Sequence, residues 1–213
     1  MNILVTGFDP FGGEKVNPAF EAVKGLPSEI KGHPIDILEI PTVFGKSIDV
    51  IKEQFKTKTY DMVIAVGQAG GRYEMTPERV AINIDDARIP DNDNQQPIDQ
   101  PIQKEGSAAY FTTLPVKRMV EAMKKEGVPA SLSNSAGTFV CNHIMYQLLY
   151  LAATSYPGLK TGFIHVPFAP EQVIEKPNQP SMSIETMTKG LKIAIQTCIE
   201  NDTDIKAILG TTH

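Results

Sequence analysis

The run MVIAVG (residues 62–67) is a stretch of β-forming apolar residues that ends at a glycine. It predicts a β-strand over residues 62–66, closed by Gly67. Strand-like and helix-like patterns alternate on either side of it. Strands are predicted for residues 2–5, 36–40, 80–84, 130–133 and 162–166, and helices for residues 17–25, 46–55, 107–126, 141–154 and 183–200. This alternation predicts the α/β class: a single domain, residues 1–213, whose mostly parallel twisted sheet carries helices on both faces.

Local signals support several of these boundaries. Asn17 and Pro18 are typical of an N-cap and a first helical position. The helix predicted for residues 107–126 ends at Gly127, with Pro129 two residues further on. Residues 85–106 form a polar stretch with little periodicity, which is typical of a functional loop, a disordered segment or an interface arm.

Composition excludes several function classes. The 213 residues carry a net charge of -5, and no basic run or stripe is present, so no nucleic-acid partner is predicted. The first residues enter a strand without a signal-peptide pattern, and no apolar run is long enough to span a bilayer. We therefore expect a soluble cytoplasmic protein. No Cys pair has metal-ligand spacing, no H-E-x-x-H motif occurs and residues 7–13 lack the G-x-G-x-x-G spacing, so no metal or cofactor is predicted.

The chain has two cysteines, which are too few for a disulfide framework. Cys198 falls on the apolar face of the last predicted helix and is expected to be a core residue. Cys141 begins a strongly apolar helix. Unpaired N–H groups at a helix start lower the pKa of a thiol and can hold an oxyanion, so Cys141 is the predicted nucleophile of a cysteine hydrolase.

A thiol nucleophile needs a proton partner, usually a histidine. His213 is terminal, and His33 lies in a turn. His143 is only two residues from Cys141 and points in another direction on a helix, so it is expected to be a packed residue. His165 ends a predicted strand, from which it can reach a neighbouring loop, and it is the predicted general base and acid.

The carboxylate that orients His165 is not fixed by residue type. Glu78 stands out in TPERV (residues 76–80), with Asp85 and Asp86 as rivals.

The positions of candidate residues along the predicted strands say more about the site than residue type does. Five residues are predicted at or just past the carboxyl ends of strands, where α/β sheets bind their ligands: Phe8, Thr42, Gln68, Cys141 and His165.

Six ordered motifs resemble the pyroglutamyl peptidase I family of cysteine peptidases. They are TGFDPFGG (residues 6–13), VGQAGGR (66–72), TPERVAIN (76–83), DARIPDN (86–92), SNSAGTFVCNH (133–143) and GFIHVPF (162–168). The resemblance implies a Cys-His-Glu triad of Cys141, His165 and Glu78, and it adds Arg88 to the Cys141 N–H as an oxyanion partner. It implies removal of N-terminal pyroglutamate from peptides by a cytosolic homotetramer.

The pocket assigned with this resemblance contains Phe8, Phe11, Thr42, Gln68, Ile89, Phe139 and Val140. Pyroglutamate is a neutral lactam, so aromatic walls from Phe8, Phe11 and Phe139 suit its flat ring, and Gln68 is expected to accept a hydrogen bond from the lactam N–H. Two alternatives stay open: a cysteine amidase or acyltransferase of other specificity, and a small-metabolite-binding α/β protein. Residues 85–106 and the apolar helix after Cys141 are expected to cover an interface.

Overall fold

The computed structural model describes residues 1–210, and its centre is strand β4, Met62–Gln68. β4 lies between β1 (Ile3–Phe8) and β8 (Lys160–Val166), and β1 also pairs with β3 (His33–Ile40). All three of these pairings are parallel. Two-residue strands complete the sheet by antiparallel pairing: β2 (Glu29–Ile30) beside β3 and β5 (Thr76–Pro77) beside β8. The sheet order is therefore β2-β3-β1-β4-β8-β5, and the mostly parallel α/β fold is confirmed.

Helices cover both faces of this sheet. Their bounds are α1 Pro18–Lys24, α2 Lys46–Thr57, α3 Val116–Lys125, α4 Val140–Thr154 and α5 Ile184–Glu200. On one face α1, α3 and α5 form a core with Met62, Ile64 and Val66. On the other face α2 and α4 form a second core with Val63 and Ala65. Because β4 is buried on both sides, residues 62–66 are a continuous apolar run rather than an alternating pattern.

Helix caps follow the local sequence. The Asn17 side chain accepts a hydrogen bond from the Ala19 N–H at 3.1 Å, which confirms Asn17 and Pro18 as the start of α1. Ser183, predicted as the first residue of the last helix, is the cap of α5 and accepts from the Thr186 N–H at 3.2 Å. Helix α4 differs, because its N-cap is Phe139 and no side chain caps its first N–H groups.

Two predicted elements are wrong. Residues 107–126 do not form one helix, since Ala109–Phe111 is strand β7, which pairs antiparallel with β6 (Val80–Ile82) in a separate two-stranded sheet. The helix begins only at Val116, after Pro115. Residues 130–133 are not a regular strand either. They make isolated parallel bridges, Met75 to Ala130 and Glu78 to Ser133, which hold the backbone of the Glu78 segment in place.

Residues 85–106 contain no regular helix or strand, but backbone hydrogen bonds fold the segment back on itself. Asp85 and Gln100 exchange two such bonds, of 2.7 and 3.0 Å, and the Ala87 N–H donates to Pro97. The buried Asp91 carboxylate accepts from the N–H of Phe44 at 2.9 Å. The segment therefore packs against the loop that follows β3.

The apolar character of α4 has a cause other than the predicted interface. Most of its apolar side chains are buried in the core of this chain, including those of Ile144, Met145, Leu148 and Leu149. The helix is apolar nearly all round because the sheet, α2 and the β6–β7 pair surround it.

Candidate active site

A cavity of about 170 Å³ opens at the carboxyl ends of the parallel strands. Phe8 and Gln68 are the last residues of β1 and β4, and Thr42 lies two residues past β3. The side chains that line the cavity are those of Phe8, Phe11, Val16, Asn17, Thr42, Gln68, Phe139 and Cys141. The structure thus brings together six residues that the sequence selected, and it adds Val16 and Asn17.

Aromatic rings form much of the cavity wall. The Phe11 and Phe139 ring centroids are 5.3 Å apart, and Phe44 meets Phe139 edge-on from behind, also at 5.3 Å. On the other side the Phe8 ring lies 6.4 Å from Phe163. Such contacting rings form a rigid apolar wall with little rotamer freedom left to lose on ligand binding.

The loop that carries Phe11 is held by polar contacts at its base. Asn17 caps α1 with its side-chain oxygen and donates from its side-chain nitrogen to the Asp9 carbonyl at 2.9 Å. The Asp9 carboxylate accepts from the Thr42 N–H at 2.7 Å and from the Asn92 side chain at 3.2 Å. The loop after β1 is therefore fixed against the loop after β3.

The free end of Gln68 is its amide nitrogen. Gln68 Oε1 accepts a hydrogen bond of 2.9 Å from Gln172 Nε2, and no protein group within residues 1–210 accepts from Gln68 Nε2. The sequence predicted the opposite polarity, with Gln68 as an acceptor. The neighbour that decides this polarity lies 104 residues away along the chain, so sequence gave no signal for it.

Gly67 makes room for the candidate nucleophile. A Cβ atom added at Gly67 would lie 3.0 Å from Cys141 Sγ and 2.6 Å from Phe163 Cζ. Gly67 pairs with His165 across β4 and β8, and paired residues of parallel strands project to the same face. Cys141 Sγ and the His165 ring therefore lie on the same side of the sheet, and Gly67 leaves space for the sulfur.

A buried carboxylate orients the His165 ring. Glu78 Oε1 lies 2.7 Å from His165 Nδ1 and 2.7 Å from Arg72 Nη1. Glu78 is fully buried, and its N–H donates to the Phe163 carbonyl at 2.9 Å. Arg72 also contacts Thr76 and donates to the Ser135 carbonyl at 3.3 Å. Arg72 stands in the VGQAGGR motif but is not among the residues predicted for the site from the sequence.

The charges of this pair follow from burial and from Arg72. Burial alone would raise the pKa of Glu78, but His165 and Arg72 outweigh it and hold that pKa below its ordinary value. Burial lowers the pKa of His165, because Glu78 offsets burial only in part and Arg72 adds repulsion. Glu78 is thus ionised and accepts the Nδ1–H of a neutral His165, which leaves a lone pair on Nε2.

Cys141 does not have the lowered pKa that its place at a helix start predicts. Burial raises the pKa of its thiol to about 12, the negative charge of Glu78 adds to this, and Arg72 opposes it more weakly. With His165 neutral, no adjacent cation offsets the loss of solvation. Burial therefore disfavours both charged forms, the thiolate of Cys141 and the imidazolium of His165.

The start of α4 offers free hydrogen-bond donors. Within the described part of the chain, the N–H groups of residues 140–142 have no protein acceptor. Val140 and Asn142 are fully buried, backbone included, whereas Cys141 is half-buried, so the Cys141 N–H is the donor of this turn best placed to reach a ligand. The Asn142 side chain exchanges hydrogen bonds of 3.0 and 2.9 Å with the backbone of Ile82 and donates to the Ile84 carbonyl at 3.1 Å.

The rival titratable residues lie elsewhere. His143 Nδ1 is 2.9 Å from the Asp85 carboxylate, and its Nε2 accepts from the Gly45 N–H at 3.2 Å, so both ring nitrogens are used in packing. Asp86 bonds Thr138 through its backbone. Cys198 is fully buried.

Four further residues that were considered from the sequence remain: His33, His213, Arg88 and Ile89. The N-terminal amine contacts His33 Nδ1 at 2.8 Å, and His213 lies outside the described residues. Arg88 and Ile89 are exposed, and neither lines the 170 Å³ cavity. The Arg88 carbonyl accepts from Gln96 Nε2 at 3.1 Å.

Residues 1–210 contain neither a metal-type cluster of side chains nor a membrane-crossing helix. No cluster of three or more His, Cys, Asp or Glu side chains with the geometry of a metal site is present among them. None of the helices in that range has both the length and the apolar character needed to cross a bilayer.

A cysteine at a helix start, beside a histidine that a buried carboxylate orients, is the arrangement of a cysteine hydrolase. Comparison with known proteins narrows this class. The sequence profile of the pyroglutamyl peptidase family matches residues 1–201, and the chain belongs to this family of cysteine peptidases.

Individual relatives agree with that assignment. The chain is 65% identical over 213 residues to a pyrrolidone-carboxylate peptidase of Staphylococcus saprophyticus, with all of both chains covered. It is 58% identical over 210 residues to one of Clostridium botulinum, covering 99% of each. The crystal structure of pyroglutamyl peptidase I from Bacillus amyloliquefaciens superposes with a TM-score of 0.94 at 50% identity, covering 97% of this chain and 100% of that one.

Proposed function

We propose that this protein removes an N-terminal pyroglutamyl residue from peptides, with Cys141, His165 and Glu78 as its catalytic residues. The main support is that Cys141 lines a small aromatic cavity and lies on the same face of the sheet as His165, which Glu78 orients. The cavity of about 170 Å³ is smaller than the ~300 Å³ at which pockets for drug-sized ligands begin. A single small ring is the ligand that such a volume fits.

The chemistry follows from the neutral resting pair. His165 Nε2 takes the Sγ proton as Cys141 attacks the pyroglutamyl carbonyl carbon, so the thiolate forms during attack. The N–H groups at the start of α4 hold the oxyanion of the tetrahedral intermediate, and Arg88 is a proposed further partner. The C–N bond then breaks as protonated His165 gives its proton to the leaving amine. A water molecule, deprotonated by His165, hydrolyses the thioester and restores the thiol.

The lining fits a neutral lactam better than an amino acid with a free amine. No charged side chain lines the 170 Å³ cavity in the described structure, and its walls are aromatic. The Gln68 N–H group is a donor for the lactam carbonyl, and Thr42 adds a hydroxyl. A proline ring lacks that carbonyl and carries a charged nitrogen, so it would leave Gln68 unpaired and bury an uncompensated charge.

Hydrolysis of three arylamides tests this proposal. Pyroglutamyl-arylamide should be cleaved, while prolyl- and alanyl-arylamide are left intact. Comparable rates on all three would favour a cysteine amidase or acyltransferase of broader specificity. Iodoacetamide should block the reaction by modifying Cys141, and Cys141→Ala should be inactive. Full activity in Cys141→Ala would reject Cys141 as the nucleophile, and absence of hydrolysis in the wild type would favour a small-metabolite-binding α/β protein.

We further propose that the protein acts in the cytoplasm as a homotetramer. Both cysteines are free, as in a reducing compartment. Exposed apolar residues support an interface, since Ile98 in the 85–106 segment is 67% exposed and Phe111 on β7 is 69% exposed. Light scattering at micromolar concentration should give four times the chain mass. A monomer would count against the assembly, and Phe111→Asp should weaken it.

A further inference from the structure

Gln172 is a buried polar residue just outside the cavity. It ends a short 3-10 helix, Pro170–Gln172, which follows β8, and it is only 7% exposed. It does not line the 170 Å³ cavity, but it bonds Gln68, which does. The donors and acceptors of a buried amide must be matched by its neighbours, so the hydrogen bonds around Gln172 determine which way its side-chain amide points.

The hydrogen bonds around Gln172 have only one consistent polarity. The Ala169 N–H donates to Gln172 Oε1 at 2.9 Å, and Gln172 Nε2 donates to Gln68 Oε1 at 2.9 Å. A backbone N–H can only donate, so the oxygen of Gln172 must face Ala169. Gln172 Nε2 therefore faces Gln68, and Gln68 must accept this hydrogen bond with its Oε1 atom.

Glu14 is a charged neighbour of Gln172 that is compatible with this polarity. Its side chain forms an ion pair with Lys176 and is partly buried. Lys176 first, and Gln172 as well, hold the pKa of Glu14 below its ordinary value. An ionised carboxylate only accepts hydrogen bonds, so a Gln172 side chain with its N–H2 group toward Gln68 and Glu14 suits both neighbours.

We propose that Gln172 is a positioning residue that fixes the Gln68 amide with its N–H group toward the cavity, so that the pocket selects rings carrying a carbonyl acceptor. The inference rests on the proposed function and deepens it, because it assigns the polar contact to the lactam carbonyl rather than to the ring N–H. A reversed Gln68 would set two N–H2 groups against each other, which disfavours that orientation in the buried surroundings of Gln172.

Two variants break the fixed polarity in different ways. Gln172→Met removes the hydrogen bonds to Gln68 and leaves the Ala169 N–H unpaired. The double variant Glu14→Gln, Gln172→Glu keeps the net charge and an acceptor for Ala169, but it forces Gln68 to donate toward position 172 and to turn its oxygen to the cavity. Gln179→Met is the matched control, because Gln179 lies on the same segment and is exposed.

Two substrates separate the carbonyl from the ring N–H. Pyroglutamyl-arylamide has both groups, and 3-oxocyclopentanecarbonyl-arylamide has the ring carbonyl with CH2 in place of N–H. We expect both variants to raise KM about tenfold on both substrates with kcat within about threefold, because one uniform ligand contact is lost. Gln179→Met should match the wild type. A rise confined to the lactam substrate, or unchanged KM in both folded variants, would overturn the proposal.

A binding measurement keeps this result separate from the proposed activity and from misfolded variants. In Cys141→Ala protein, cyclopentanone has a ring carbonyl and no N–H. It should shift the side-chain amide protons of Gln68 in ¹H–¹⁵N spectra, as should 2-pyrrolidone. Absence of hydrolysis in the wild type together with these shifts would reject the proposed function and retain the role of Gln172. Hydrolysis without a cyclopentanone shift would reject the role of Gln172 alone.

Discussion

The substitution Gly67→Ala tests whether Cys141 must keep its place beside β4, on the same face of the sheet as His165. The added Cβ would lie 2.6 Å from Phe163 Cζ and 3.0 Å from Cys141 Sγ, whereas ordinary contacts between carbon atoms are about 3.5–4.0 Å. The Phe163 ring or the thiol must therefore move by up to about 1 Å. Gly67 has no positive φ, so the backbone accepts alanine and the effect comes from these two side chains.

Two measured losses follow from that displacement. Overpacking of this kind costs about 1–3 kcal/mol of the free energy of unfolding. A reacting atom misplaced by ~1 Å costs on the order of 10²-fold in rate. We therefore expect kcat/KM for pyroglutamyl-arylamide to fall about 100-fold in protein that circular dichroism shows to be folded.

Gly25→Ala is the matched control for this experiment. Its Cβ would lie 2.8 Å from Thr188 Oγ1, between α1 and α5 and away from the cavity, and its φ of -76° also suits alanine. This variant should lose stability and keep the kcat/KM of the wild type. If Gly67→Ala stays within about threefold of wild-type kcat/KM, the inferred need for Cys141 to keep its place beside β4 is wrong.

Three other outcomes are expected. His165→Ala should lose about 10⁶-fold in kcat, and Glu78→Gln should lose less, about 10²–10⁴-fold, because an orienting residue is only partly essential. Asp85→Asn alters a similar buried His–carboxylate pair and should keep its activity. Equal losses of kcat in Glu78→Gln and Asp85→Asn would remove Glu78 from the site. Because burial places the pKa of His165 below its usual 6.5, kcat/KM should be full at neutral pH and should fall as the pH drops through a midpoint below 6.5. A midpoint above 7 in the pH dependence of kcat/KM would contradict a neutral His165 in the resting protein. Asn17→Ala should lower the free energy of unfolding by about 1 kcal/mol, because the helix cap is lost, and should raise KM, because the loop of Phe11 is released. If calorimetry shows the lower stability while KM is unchanged, the cap and the cavity are independent.

The parts of the fold that local sequence determines were predictable. Residues 62–66 of strand β4 are all apolar because both faces of the strand are buried there, and Asn17 with Pro18 marks a helix start through a side-chain bond within two residues. The segment 107–126 was predicted as one helix because its composition suits a helix. Tertiary pairing of β7 with β6 overrides that preference in residues 109–111, and Pro115 delays the helix.

The candidate site also has parts that local sequence predicts and parts that only the tertiary structure determines. Cys141 and His165 are placed by elements that the sequence reveals, and Glu78 was separated from Asp85 and Asp86 only by resemblance. The structure supplies the physical reason for that choice, since Asp85 is already bonded to His143 while Glu78 bonds His165. Arg72 and Gln172, the orientation of Gln68 and the raised pKa of Cys141 depend on neighbours distant in sequence or on burial, which single-sequence patterns do not contain.

Three consecutive residues at the start of α4 have consequences for inhibitor design. Asn142 is bonded to the backbone of residues 82–84 and His143 to Asp85 and Gly45, so the first turn of the helix cannot rotate about its axis without breaking five hydrogen bonds. The thiol of Cys141 therefore has one fixed direction of presentation. An electrophilic warhead must approach sulfur from the cavity between Phe8 and Phe139, which favours compact ring-bearing reagents over long flexible ones.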